Sequence, residues 1–268
     1  MLKLAAGRAL LDAAWRFRQM LAATGILELK QRYAGSALGS AWILLYPAIF
    51  LSIYLILYLV IFEVRFPGMT SLGFVVFVFS GLVPYLVIIE AVTRGAVIVK
   101  ENMHLIKNVI MPVELVPLRL VMVSLMAQTA SFLVLIALSL IDGSLGWRVL
   151  FLPPILLLVS IYVLGFVYYV ACLGVIFNDV AYIVNLAMVA LMFLSPIAFK
   201  PDMVPTMLQA IVYLNPVSYP LEVIRWSVLS GYDVNLFRAL VFPALSVGMF
   251  AAGASFFQRF KGLMADNV

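Results

Sequence analysis

Trp42, Tyr46, Phe50, Tyr54, Tyr58 and Phe62 stand at every fourth position of one apolar stretch. Four residues of α-helix overshoot a full turn by about 40°, so these rings form a stripe that winds slowly along a helix. Aromatic faces are flat and mildly negative. A sugar ring carries C–H groups on one face and hydroxyls at its rim. Such a ladder therefore has the chemistry to pass a glycan along by stacking, with the Tyr hydroxyls bonding at its edges. The same residue types also pack between helices and form belts at membrane interfaces. Trp42, Tyr46 and Phe62 suit a belt; Phe50 and Tyr54, at mid-span, suit it less.

Other chemistries are missing. No Gly-x-x-x-x-Gly-Lys-Ser/Thr loop occurs, which excludes P-loop nucleotide binding by this chain. The single histidine, His104, has no second histidine or cysteine at ligand spacing, so neither a zinc site nor any other metal site is expected. There is no Gly-x-Ser-x-Gly elbow. Glu90 and Asp179 fall near the ends of apolar runs, where they reach water; a proton relay needs charges deeper in the bilayer. No acid–base constellation for catalysis is found, and the chain is not expected to be an enzyme.

The elements that position these residues are those of a membrane protein. Of 268 residues, 66% are hydrophobic and 11% charged, against about a quarter charged in soluble domains. The net charge of +5 sits beside apolar runs, a placement that fits the positive-inside rule and excludes a nucleic-acid surface. Cys172 is the only cysteine, so no intrachain disulfide forms. Lys3, Arg8 and Asp12 precede any long apolar run, unlike a cleavable signal peptide.

An all-α fold with six transmembrane helices is expected, at about 42–62, 72–92, 120–141, 149–177, 181–199 and 236–257. Residues 43–62 hold fourteen Leu, Ile, Val or Phe, which favours insertion by about 4–8 kcal/mol. Residues 1–33 mix Arg8, Arg16, Arg18, Lys30 and Arg32 with Leu4, Leu11, Trp15 and Phe17, and read as an amphipathic interface segment; 34–268 is the transmembrane domain. Between the second and third spans, Val97–Val109 has the length of a short helix exposing Lys100, Glu101, His104 and Lys107. Residues 205–230 hold two half-length helical segments bounded by Pro205, Pro216 and Pro220. Broken helices at membrane depth are tolerated inside protein or beside a watery cavity, so a re-entrant pair is expected; the alternative is two helices resting on the outer surface. With the N-terminus inside, the inner segments carry twelve of the 17 Lys and Arg and the outer segments five. The bias puts both termini in the cytoplasm.

The run Leu29-Lys30-Gln31-Arg32-Tyr33-Ala34-Gly35-Ser36-Ala37-Leu38-Gly39, followed by Trp42 and Pro47, resembles the approach to the first span in the ABC-2 type permeases that export cell-surface polysaccharides. Glu101-Asn102 to Lys107 with Pro112 resembles that family's inside loop. Leu194-Ser195-Pro196-Ile197, Pro205 and Asn215-Pro216 are similar to its re-entrant region. One departure is Asn178, where many relatives carry Arg between the Phe and Asp matched by Phe177 and Asp179.

The resemblance implies a bacterial inner-membrane exporter of a lipid-linked polysaccharide, of the O-antigen, capsule or teichoic acid type. Two copies would enclose a channel lined by Trp42, Tyr46, Phe50, Tyr54 and Tyr58. Two separate ATPase subunits would drive it, so that ATP and Mg belong to the partner and no cofactor to this chain. Lys100, Glu101, His104 and Lys107 would lie on the coupling helix at about 97–109. Lys30 and Arg32 would contact the lipid pyrophosphate, among membrane lipids at the cytoplasmic face. The remaining alternatives are an ABC-2 exporter of drugs or lipids and a membrane-embedded glycan-modifying enzyme.

Overall fold

The computed structural model describes residue 10 and residues 12–63, 69–103, 112–234 and 236–266. Every regular element among them is helical. In chain order these are α1 (Arg18–Tyr33), α2 (Gly39–Ile61), α3 (Ser71–Gly95), α4 (Ile98–Glu101), α5 (Leu115–Ala127), α6 (Thr129–Asp142), α7 (Leu152–Ile176), α8 (Val180–Leu194), α9 (Thr206–Leu214), α10 (Ser218–Val228) and α11 (Leu236–Asp266). Five helical runs among the described residues are long and apolar enough to cross a membrane: Gly39–Ile61, Ser71–Gly95, Leu115–Asp142, Trp147–Ile176 and Phe237–Gly262.

The stretch expected as a fifth span, about 181–199, is helical only as far as Leu194. Fifteen residues rise about 22 Å, less than the ~30 Å hydrocarbon core. Pro196 has no N–H to continue the ladder, and residues 195–199 turn their carbonyls elsewhere. Proline does not interrupt the second span in the same way. The α3 helix runs unbroken through Pro84.

At the centre of the molecule is α3, with 83% of its span window buried, against 11% for α2. Hydrophobicity does not explain this difference, since lipid tails are as apolar as Leu. Its packing and hydrogen bonds do. Thr70 caps its N-terminus, the hydroxyl accepting from Gly73 N at 2.8 Å and donating to Asp142 Oδ1 at 2.8 Å. That second bond fastens the start of α3 to the end of α6. Farther along, the Tyr85 hydroxyl donates to the Met188 carbonyl of α8.

On the other side, α7 and α11 cross in backbone contact. A Cβ on Gly165 would stand 2.6 Å from the Met249 carbonyl, and one on Gly253 would overlap the Gly165 carbonyl. Small residues here let the two longest helices approach as small-residue crossings do in bilayers.

One end of the helix bundle is organised by Arg225 of α10, which has no solvent exposure. Its Nε donates to Ser80 Oγ at 3.2 Å and its Nη1 to the Pro196 carbonyl at 2.9 Å. Its Nη2 donates to the carbonyls of Phe77 at 3.2 Å and Ile197 at 2.8 Å. The guanidinium also lies over the Phe77 ring, 3.9 Å from its centroid. Gly81 leaves room for it: a Cβ there would meet Arg225 Nη2 at 2.5 Å and Ile197 Cα at 3.1 Å. Beside it, buried Glu222 of α10 pairs with Arg238 of α11, while Arg148 donates to Asp233 and to the Tyr232 carbonyl, both at 3.1 Å. Three of the five cations assigned to the outer side by charge counting are thus internal fasteners.

Two outcomes test this packing. Arg225→Met strands several buried carbonyls at once, each at a cost of about 1–3 kcal/mol; it should abolish a cooperative thermal transition in detergent or lower its midpoint sharply. Gly165→Ala should cost about 1–3 kcal/mol by overpacking, whereas Gly248→Ala, with open space around its Cβ position, should shift the same midpoint little.

Candidate functional site

Where α1 ends and α2 begins, Gly35 and Gly39 take positive φ values of 80° and 50°. These glycines admit the tight turn that brings the last turn of α1 beside the first turn of α2. A cavity of about 510 Å³ opens there. Arg32 and Ser36 approach it from the α1 side, Trp42 and Tyr46 from α2, Glu90 from α3 and Asn185 from α8. It therefore holds a cation, two aromatic rings and several hydrogen-bonding groups.

Arg32 is gripped from two sides. Its Nη1 donates to Glu90 across the cavity wall, and its Nη2 lies 3.5 Å from Glu28 Oε1, one helical turn earlier. Its Nε is buried with no hydrogen-bond partner among the described residues. Burial holds the guanidinium below its ordinary pKa, with Arg94 acting in the same direction and Glu28 opposing them. Arg32 remains charged, as guanidiniums do throughout the physiological range.

Glu28 serves as a hub. Its Oε1 also lies 3.2 Å from Arg94 Nη2, and its Oε2 lies 3.3 Å from Arg119 Nε. Arg119, on α5, donates from Nη2 to Asn102 Oδ1 at 2.5 Å, and Asn102 Nδ2 donates to the Ile98 carbonyl at 2.8 Å. The segment after α3 is thereby tied to α1. Lys100, in α4, donates from Nζ to Asn178 Oδ1 at 2.6 Å. Glu101 is exposed. His104 and Lys107 lie outside the described residues.

The aromatic series divides into neighbouring ring contacts. Tyr46 and Phe50 have centroids 5.0 Å apart and Tyr54 and Tyr58 stack at 6.1 Å, while Tyr58 meets Phe62 edge-on at 5.9 Å. Residues Ile56–Ile61 form a π-helical segment, a feature frequent at functional sites. Tyr46 is 49% exposed but Tyr54 only 7%, its hydroxyl 3.5 Å from the Met192 carbonyl. A second, smaller cavity of about 180 Å³ is lined by Phe50, Tyr54 and Tyr58 with Met192, Phe193 and Ser195. Trp42 and Tyr46 thus share the first cavity with Arg32, whereas the upper rings face the second. Lys30 is exposed and is not among the lining residues of either.

Sequence reasoning missed the hub. The i, i+4 spacing of Glu28 and Arg32 was a usable signal; Glu90, Arg94 and Arg119 come from distant segments and gave none. It also missed Asn185, whose side chain reaches the cavity from a helix that otherwise reads as apolar.

Residues 23–229 match the family model for the ABC-2 type transporter. The chain is 23% identical to the O-antigen export system permease protein RfbA of Myxococcus xanthus over 265 residues, 95% of this chain and 97% of the relative. It is 25% identical to the protein of the same name from Klebsiella pneumoniae over 248 residues, 89% of this chain and 91% of the relative.

The bond between Lys100 and Asn178 has a direct test. Asn178→Arg places a second cation against Lys100 and removes the acceptor. An exposed contact of this kind contributes about 0.2–1 kcal/mol. Amide exchange at Lys100 and Glu101, followed by mass spectrometry, should quicken up to about fivefold, while Asn178→Asp should leave it unchanged or slower.

Proposed function

Because the chain belongs to the ABC-2 type transporter family, we propose that it is the membrane-spanning permease subunit of an exporter of lipid-linked cell-surface polysaccharide, of the O-antigen type. Its full-length similarity to two O-antigen export permeases supports this substrate class. The carrying observation is the first cavity, where Arg32 stands with Trp42 and Tyr46. A guanidinium is suited to phosphate oxygens and aromatic faces to sugar rings. A lipid-linked glycan presents both chemistries at one point, where its diphosphate meets its first sugar. Arg32 is the better-placed contact for that diphosphate; exposed Lys30 would meet it only on approach along the membrane surface.

Two copies complete the passage in this reading. The α2 span and α8 display Ile53, Val60, Tyr182, Ile183, Leu186 and Phe193 outward. A span with only 11% of its window buried has ample surface for a second subunit. In this arrangement α9 and α10 form the re-entrant pair at the outer exit, and α8 is the fifth of six crossings, completed by the bent segment after Leu194. Energy comes from separate ATPase subunits, with ATP and Mg bound there, seated against Lys100, Glu101 and the loop that follows. The physical cycle is closure of the ATPases, movement of that loop and parting of the two permease copies.

Reconstitution with the ATPase subunit tests the reading. Trp42→Leu combined with Tyr46→Leu should lower polysaccharide export about tenfold, equivalent to about 1.4 kcal/mol, while insertion and ATPase co-purification are retained. Unchanged export would remove the aromatic rings from the passage. Equal export of an unglycosylated lipid would favour a lipid exporter instead.

A further inference from the structure

The cluster around the first cavity is unbalanced. Three guanidiniums, Arg32, Arg94 and Arg119, face two carboxylates, Glu28 and Glu90. Glu28 is engaged by all three arginines and lies behind the cavity, in α1. Glu90 is different. Its side chain lines the cavity itself, and its one ion pair is to Arg32. Arg32 in turn keeps a buried Nε–H with no acceptor while two of its other nitrogens are held by carboxylates. A guanidinium presents five N–H donors in a rigid fork, and this one is only partly satisfied at the wall of a cavity large enough for a diphosphate.

We infer that Glu90 is a carboxylate latch on the anion site, holding Arg32 until a diphosphate group takes its place. This rests on the substrate class proposed above and goes beyond it by assigning the competitor. Charge supports the exchange. With Glu90 turned away, three guanidiniums stand against Glu28 alone, a surplus of two positive charges. A diphosphate bridging a lipid and a sugar carries one ionised oxygen on each phosphoryl group, which matches that surplus. A carboxylate offers Arg32 one flat pair of acceptors, whereas a diphosphate offers acceptors in two directions and can also reach the orphaned Nε–H. Ser36 and Asn185, on the same wall, are donors for the remaining oxygens. The latch makes weak anions poor occupants, because each must displace an intramolecular partner present at high effective concentration. It therefore acts as a filter against single-charge headgroups in the surrounding membrane.

The test is equilibrium binding to the full-length chain, purified with its ATPase subunit in lipid nanodiscs. One arm uses a polyprenyl pyrophosphate placed in the disc, the other soluble inorganic pyrophosphate; polyprenol without phosphate is the blank. Glu90→Gln removes the competing charge and keeps the shape. It should tighten binding about tenfold, and the arm that gains identifies whether the headgroup or a free diphosphate is the ligand. Arg32→Gln should abolish the gain in the Glu90→Gln background. Should Glu90→Gln fold poorly, Glu90→Asp decides: it keeps the charge but withdraws it by one methylene, and binding should tighten two- to threefold. Binding by the wild-type chain that is unchanged or weaker in these variants overturns the latch and leaves the substrate reading standing. No binding of either diphosphate by wild-type or variant chains overturns both.

Discussion

A buried guanidinium that must be satisfied by backbone carbonyls sets the shape of one half of this molecule. Arg225 makes no salt bridge with any described carboxylate. Its hydrogen bonds go to Ser80 and to the carbonyls of Phe77, Pro196 and Ile197. Two of those carbonyls belong to residues following α8, and they are free to accept because the helix has ended. A buried charge without such partners is prohibitively costly, so the position of Arg225 and the early stop of α8 form one constraint. Asn215 reinforces it, donating from Nδ2 to Ser195 Oγ at 2.9 Å and accepting from Val217 N at 2.8 Å. The Ser195-Pro196 and Asn215-Pro216 pairs, twenty residues apart in sequence, thus form one joint.

The other end is held by a second set of arginines with the opposite logic. There Arg32, Arg94 and Arg119 have carboxylates within reach, and Glu28 gathers them from α1, α3 and α5. Between the two fastened ends, α3 is enclosed and α2 is left open along its length. Rigid ends with an uncovered middle suit a half-structure. The cavity containing Trp42 and Tyr46 lies at the Arg32 end of the open face, and the cavity containing Phe50 and Tyr58 lies farther along it.

Hydrophobic runs made five spans legible, because each long apolar stretch is its own signal, whereas the helix in the run at about 181–199 stops at Leu194. Arg225 was not legible in this way. Counting it as an outer-side cation ignored that an arginine flanked by Ile224 and Trp226 in a short apolar helix needs a partner wherever it lies. The aromatic series was readable as a spacing but not as an environment. Tyr54 obeys the four-residue rhythm and yet is turned inward to Met192, since α2 packs one edge against α3 and a winding stripe must cross that edge. Glu90 was read only as a carboxylate close to water. Its pairing with Arg32, 58 residues away in sequence, arises because α1 and α3 both pack on α5, which no local pattern encodes.

The short segment around α4 is joined to the first cavity by two separate chains of contacts. One runs from Asn102 through Arg119 and Glu28 to Arg32. The other runs from Lys100 to Asn178, at the turn that starts α8, and along that helix to Asn185. Contiguity alone transmits nothing; coupling needs an element with two discrete arrangements that both ends bias. In the latch proposed above Arg32 would be that element, because it is held by two carboxylates that answer to different neighbours. Glu28 shares itself with Arg119 and Arg94, so any pull on Asn102 alters how much of Glu28 remains for Arg32. When Glu28 is drawn away, Arg32 depends more on Glu90; when Glu28 is returned, Glu90 becomes easier to displace. If Arg32 is the anion site proposed above, a displacement at α4 would change its strength without any large movement of α1, and an anion there would act back on Asn102 by the same contacts, as linkage requires.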